Sequence, residues 1–172
     1  MNRRRPAFFL DRDGVINKDT GYPYRPSDLH FIAGAPEAIA RINALGYLVI
    51  VISNQSGVAR GYFTEEDVNQ FHQQIKRKLK SYQAHVDAFF ICPFHPQGSL
   101  ESYKKEHFDR KPNPGMIEKA IAKFNIDRDR SILIGDKQTD LLAGHRAHID
   151  SYLFDQNNLE HFVISLMKNR WP

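Results

Sequence analysis

Short apolar runs alternate along the chain with longer stretches in which apolar positions recur every three or four residues. The runs at 7–10, 47–53, 88–91, 131–135 and 151–154 are too short for helices. Several are rich in Val, Ile and Phe, the composition of strands buried on both faces. Between them lie helical patterns. Residues 36–45 stop at Gly46, which suits the end of a helix. Thr64 offers a cap, and Glu65, Glu66 and Asp67 fill the first turn of a helix expected to run to about Tyr82. Residues 114–124, 139–147 and 159–168 supply three more. Repeated alternation of this kind predicts an α/β chain: a Rossmann-like three-layer α/β/α arrangement around a parallel sheet, in one domain spanning 1–172.

Two stretches, 14–34 and 93–113, match neither period. Loops this long inside a compact domain are usually functional. Each follows a candidate strand, so both are expected at the carboxyl ends of the sheet, where open α/β proteins bind ligands.

Composition narrows the classes. With 172 residues, 41% hydrophobic and 26% charged, the chain has the make-up of a soluble globular protein. No apolar run approaches the roughly 20 residues that span a bilayer, so no membrane partner is expected. Arg3, Arg4 and Arg5 before the apolar run resemble the start of a signal peptide. Asp11, Arg12 and Asp13 end that run too soon, and the arginines read as a solvated lead-in to a first strand. The single cysteine, Cys92, excludes an intrachain disulfide and fits a reducing, cytoplasmic setting. A net charge of +4 favours anionic substrates. Basic residues are mostly interspersed with acids, and an exposed helix face accounts for Lys76-Arg77-Lys78, so no nucleic-acid partner is expected.

The segment Phe8-Phe9-Leu10-Asp11-Arg12-Asp13-Gly14-Val15 carries the strongest chemical signal. A strand delivers two carboxylates whose spacing sets them on one side of an extended backbone. Burying both is costly without a compensating cation. An ordinary turn after a strand would also account for these residues alone. Three other places shift the balance. Residues 47–52 end in Ser53-Asn54-Gln55, Arg110-Lys111-Pro112 precedes a helix, and 131–134 end in Gly135-Asp136, with Asp140 following. The histidines give no competing chemistry. His30, His72, His85, His145, His148 and His161 are scattered and read as surface or capping residues, and Ser53 has no histidine partner that would make a hydrolytic triad.

In order and position, Asp11-Arg12-Asp13-Gly14, Ser53, Lys111 and Gly135-Asp136 with Asp140 resemble the four motifs of the haloacid dehalogenase superfamily. The resemblance implies a Mg²⁺-dependent phosphatase. Asp11 would be the nucleophile, Asp13 the acid and base, and Ser53 and Lys111 the ligands of the phosphoryl oxygens. The metal would be held by Asp11, the backbone carbonyl of Asp13 and Asp136. Longer segments, Asp19–Tyr22, Ser53 through Gly61, Arg110 through Met116 and Gly135-Asp136-Lys137, are similar to the D-glycero-D-manno-heptose 1,7-bisphosphate 7-phosphatases and the related histidinol-phosphatase domains. That family implies a small phosphorylated sugar as substrate, with no large cap domain; a monomer is expected. Histidinol phosphate or another small phosphomonoester is the alternative substrate. Asp19, Thr20, Gly21, Tyr22, Asn54, Gln55, Arg110 and Lys137 would bind substrate, Arg110 and Lys137 on the phosphate that is not cleaved.

One departure concerns zinc. The family pins the loop before Arg-Lys-Pro with Cys-x-His and Cys-x-Cys pairs. This chain has Cys92-Pro93-Phe94-His95 and His107-Phe108-Asp109. Only Cys92 matches, so zinc is expected to be absent, with Phe94 and Phe108 packing the loop instead; the alternative is a rearranged zinc site from Cys92, His95, His107 and Asp109.

Overall fold

The structure is a computed structural model and describes residues 4–170. Its elements follow in strict alternation: β1 (Ala7–Leu10), α1 (Ala35–Ala44), β2 (Leu48–Asn54), α2 (Glu65–Leu79), β3 (Ala88–Cys92), α3 (Gly115–Phe124), β4 (Ile132–Gly135), α4 (Gln138–Arg146), β5 (Asp150–Leu153) and α5 (Leu159–Arg170). Each expected strand and helix is present, with ends shifted by a residue or two. The exceptions are short 3-10 turns: Pro26–Asp28 lies within the first long loop, and Lys80–Tyr82 tightens the end of α2. Arg4 and Arg5 are exposed, as a solvated lead-in should be, while Arg3 lies outside the described residues.

All strand pairings are parallel, in the order β3-β2-β1-β4-β5. Every residue of β1 is fully buried because this central strand is covered on both faces. Alternation divides its side chains between two layers. Phe8 and Leu10 pack with Val49, Val51, Phe71, Ile39 and Val163, beneath α1, α2 and α5. Ala7 and Phe9 pack with Ile50, Ile52, Met116, Ile117 and Ala143, beneath α3 and α4. Each buried Phe or Leu contributes roughly 1.5–3 kcal/mol, so β1 is firmly anchored in the sheet. α2 begins as its sequence predicts, since Thr64 Oγ1 accepts from the Asp67 amide and the Asp67 carboxylate accepts from the Thr64 amide.

The chain leaves β1 for β2 on one side and reaches β4 on the other, so the strand order reverses at β1. Carboxyl ends diverge there and leave a crevice. Both long loops start at this edge, directly after β1 and β3.

Candidate active site

A cavity of about 410 Å³ opens in that crevice, within the range of small-ligand sites. Asp11 continues β1, its amide donating to the Ile134 carbonyl at 3.0 Å, so its carboxylate projects from the centre of the sheet. Ser53 stands at the end of β2, and Gly135-Asp136 ends β4. Gly14 and Gly135 are required by close approach. A side chain on Gly14, whose φ is +97°, would run into the Asp136 carboxylate, and one on Gly135 would run into Asp140.

Lys111 reaches in from the loop before α3. Its ammonium donates to Asp11 Oδ1 at 2.8 Å and to the Ile52 carbonyl at 3.1 Å, and pairs with Asp140 Oδ1 at 2.6 Å. Burial acts to lower its pKa, but Asp11 and Asp140 outweigh burial and hold it above the usual lysine value. The other Asp140 oxygen accepts from the Asp136 and Lys137 amides, capping α4 and fixing the turn that carries Asp136. Asn54 is committed to the Lys111 backbone: its Oδ1 accepts from the Lys111 amide at 3.0 Å, and its Nδ2 donates to the Lys111 carbonyl at 3.1 Å. It holds the lysine in place as well as lining the cavity.

The acids do not balance internally. Carboxylate oxygens of Asp11, Asp136 and Asp140 converge within 4.8 Å of one another. Three carboxylates and one ammonium leave two negative charges when all are ionised. Burial pushes Asp11 up to about 8, with Asp140 and Asp136 adding to the rise and Lys111 opposing it. Burial also raises Asp136, against the pull of Asp11 and Lys137. Asp136 Oδ1 is buried with no hydrogen-bond partner. Converging acid oxygens, an orphaned carboxylate oxygen and a double negative excess suit a hard divalent cation.

Asp13 also lines the cavity, though its carboxylate is turned toward Arg12. Arg12 Nε donates to Oδ1 at 3.0 Å and Nη2 to Oδ2 at 2.8 Å. Gln55 Nε2 bridges Ser53 Oγ at 2.7 Å and Asp13 Oδ2 at 3.4 Å.

At the mouth, Asp19, Gly21 and Tyr22 line the cavity, and Asp19 pairs with Lys137 at 3.2 Å. Thr20 is exposed and does not join them. Arg110 reaches the cavity and leaves one guanidinium nitrogen, Nη1, buried and unpartnered. Ser56 and Thr139 line the cavity too; neither was singled out from sequence, where each is one small hydroxyl among many. The structure corrects the reading of His72, which is buried in the α2 face and within 3.2 Å of Arg12, not at the surface. Its signal was available, because it falls in register with Val68, Phe71, Ile75 and Leu79 on the buried stripe of α2.

The loop after β3 also differs in part. Cys92 is buried at the strand end, and its Sγ lies 3.9 Å from the Phe94 carbonyl. Phe94 stacks on His107 at 4.4 Å between centroids and is capped by the Lys105 ammonium. Phe108, expected to pack inward, is 59% exposed. The backbone turn from His107 to Arg110 faces it outward, and Asp109 is buried instead, paired with Lys119.

Comparison with known proteins agrees with this geometry. Residues 108–160 match the HAD-hydrolase-like family model. The chain is 41% identical to the D-glycero-beta-D-manno-heptose-1,7-bisphosphate 7-phosphatase of Rhodopseudomonas palustris, over 93% of this chain and 89% of that protein. It is 42% identical to the D-glycero-alpha-D-manno-heptose-1,7-bisphosphate 7-phosphatase of Burkholderia mallei, over 86% of this chain and 78% of that protein. The crystal structure of D,D-heptose 1,7-bisphosphate phosphatase from B. bronchiseptica, complexed with magnesium and phosphate, superposes with a TM-score of 0.78 at 30% identity, covering 94% of this chain and 86% of that one.

Proposed function

The chain belongs to the heptose-1,7-bisphosphate 7-phosphatase family of haloacid dehalogenase-like hydrolases, and we propose that it removes the 7-phosphate of D-glycero-D-manno-heptose 1,7-bisphosphate in a Mg²⁺-dependent reaction. The observation that carries this reading is the pairing, in one cavity, of a buried Asp11–Lys111–Asp136 centre with two cations at its mouth, Arg110 and Lys137. A monophosphate needs the first group only. A second phosphate gives the free Arg110 nitrogen a partner and gives Lys137 a stronger one than Asp19.

Asp11, Asp136 and the backbone carbonyl of Asp13 would hold Mg²⁺. When bound, the ion favours ionised Asp11 and offsets charge on the phosphoryl oxygens. An Asp11 carboxylate oxygen attacks phosphorus as the bond to the sugar oxygen breaks, and Asp13 gives that oxygen its proton. Asp13, now a carboxylate, takes a proton from water. The water oxygen bonds to phosphorus, and Asp11 leaves as a carboxylate. Lys111 and Ser53 hold the phosphoryl oxygens throughout, with Gln55 fixing the Ser53 hydroxyl.

Zinc is absent from this reading. The cation that Asp109 needs is Lys119, Phe94 fills space against His107, and burial raises the Cys92 pKa, which disfavours the thiolate a metal would bind. The chain is taken as one domain acting as a cytoplasmic monomer. In support, both faces of its single sheet are covered by its own helices, and its lone cysteine is a buried free thiol. Among the described residues no helix is long and apolar enough to cross a membrane.

The test is phosphate release from both anomers of the bisphosphate, beside histidinol phosphate, with and without Mg²⁺. Release that needs Mg²⁺ and favours one heptose anomer by over about tenfold in kcat/KM, about 1.4 kcal/mol in the transition state, is the expected result. Equal weak rates on all three esters would leave the phosphatase chemistry and remove the heptose. The alpha- and beta-named relatives are equally similar to this chain, so the anomer is left to that experiment.

A further inference from the structure

Arg12 is the largest fully buried side chain among the described residues, and no part of the mechanism above uses it. Alternation along β1 points it away from the cavity, into the layer that holds Phe8, Leu10 and Phe71. Its guanidinium lies over the Phe71 ring, 4.6 Å from the centroid. A charge in such a place is expensive, and a buried ion pair by itself is weak evidence of stabilisation. What distinguishes this guanidinium is the set of groups it joins. Nε and Nη2 form a two-pronged fork on the two Asp13 oxygens. Nη2 also donates to the Pro23 carbonyl at 2.9 Å, and Nη1 lies 3.2 Å from His72 Nε2 on α2. The last contact requires His72 to be neutral, with its proton on Nδ1. Burial, Arg12 and Lys76 together lower the His72 pKa to about 3, and the ring is clamped against Phe89 at 4.1 Å.

We propose that Arg12 is the positioning residue for Asp13, fixing the plane of its carboxyl group against helix α2 and against the loop that lines the mouth of the cavity. A bidentate fork sets orientation as well as distance. Each carboxylate oxygen has two acceptor sites. The fork takes one on each oxygen; among the described residues the long Asn17 and Gln55 contacts of 3.5 and 3.4 Å are the other side-chain partners, which leaves Asp13, a residue lining the cavity, with acceptor capacity to spare. The proton that Asp13 hands to the leaving oxygen, and later takes from water, is thereby aimed by a group that never meets the substrate. The Pro23 contact ties this aim to the loop bearing Asp19, Gly21 and Tyr22.

The inference rests on Asp13 being the acid and base, so its test separates the two ideas. Turnover of the heptose bisphosphate, whose leaving group is an alkoxide that must be protonated, is compared with that of p-nitrophenyl phosphate, whose phenolate leaves without help. In Arg12→Lys the charge stays and the fork is lost. kcat on the bisphosphate should fall about 100-fold with KM within about threefold, while p-nitrophenyl phosphate loses less than about fivefold. Asp13→Asn should show the same imbalance, larger. Both esters are assayed on one preparation, so a fraction of misfolded Arg12→Lys cancels in the ratio. Equal losses on the two esters in Arg12→Lys, or no loss on either, overturn the proposal. An Asp13→Asn variant without the imbalance removes Asp13 as the acid and the proposal with it.

Discussion

Lys111 and Lys119 come from the same stretch of chain, and each meets a buried aspartate, yet the two clusters are built to opposite ends. Around Lys111 the acids outnumber the cation: Asp11, Asp136 and Asp140 share one ammonium, and Asp11 is pushed up to about 8. Around Lys119 one ammonium answers one carboxylate, Asp109, and the neighbouring His107 spends its Nδ1 on the Asp109 amide at 3.0 Å. The first cluster is an incomplete electrostatic unit that a dication completes. In the second, the chain's own lysine matches the charge of the one carboxylate. What separates the two clusters is the balance of buried charge, since both hold residue types that bind metals.

The largest expected effect breaks the first cluster at its centre. Asp11→Asn removes the proposed nucleophile together with the charge it carries when ionised. Turnover should fall by more than about 10⁴-fold, while thermal unfolding shows a folded protein, because the substitution relieves repulsion among the acids. Near-normal phosphate release by that variant would end the assignment of Asp11.

The fold and half of this comparison were legible in the sequence. Strand and helix alternation came through because β1, β2 and β4 are buried on both faces and leave unbroken apolar runs. Asp11, Asp13, Lys111 and Asp136, which the structure brings to one crevice, stood out because they follow a strand or precede a helix. Arg12 was passed over although the same alternation that set Asp11 toward the cavity set it toward Phe71, and a charge on that side demands partners. Beyond the adjacent Asp13, its partners lie on α2 and past the first turn of the loop, which no local pattern reveals. The outward turn of Phe108 and the Lys119–Asp109 pair were hidden for a similar reason: both depend on how an irregular loop folds back on α3.

Metal dependence sharpens the contrast. Mg²⁺ at about 100 times its Kd should stabilise the folded chain by about 2.7 kcal/mol. That shift in urea or thermal unfolding should vanish in Asp136→Asn, whichever substrate the enzyme prefers. Zinc should be absent from protein purified without it, and a chelator should remove activity that Mg²⁺ alone restores. Tightly bound stoichiometric zinc would show that the second cluster is a metal site after all.

A neutral buried group supplies the next prediction. His72 has an ordinary value of 6.5, and burial with Arg12 and Lys76 lowers it to about 3 in the folded chain. Between those values the unfolded chain carries a proton that the folded chain does not, so stability falls as pH drops below about 6.5. The contribution from this residue reaches at most one proton, about 1.4 kcal/mol per pH unit. His72→Gln can still accept from Arg12 but cannot titrate. Urea unfolding at pH 7, 6 and 5 should give a flatter decline for the variant, and parallel declines would refute the burial of a neutral imidazole.

The smallest effect tests the closed cluster. Lys119 is more than half exposed, whereas Asp109 is buried with its Oδ1 unpartnered. Lys119→Met removes the one ammonium paired with that carboxylate among the described residues, but water can approach from the side the lysine occupied. The loss should therefore be about 1 kcal/mol, a fall of roughly 2–4 °C in Tm. Activity should change little, because Lys119 does not line the cavity. Zinc content is the sharper readout in this variant. With its counter-charge gone, Asp109 is as short of cations as Asp136, yet Cys92 is turned to the Phe94 carbonyl and Phe94 covers His107. Adding zinc to Lys119→Met should give no stabilisation. Recovery of the lost stability by zinc would mean that the lysine alone closes a latent site, and that the two clusters differ by a single side chain.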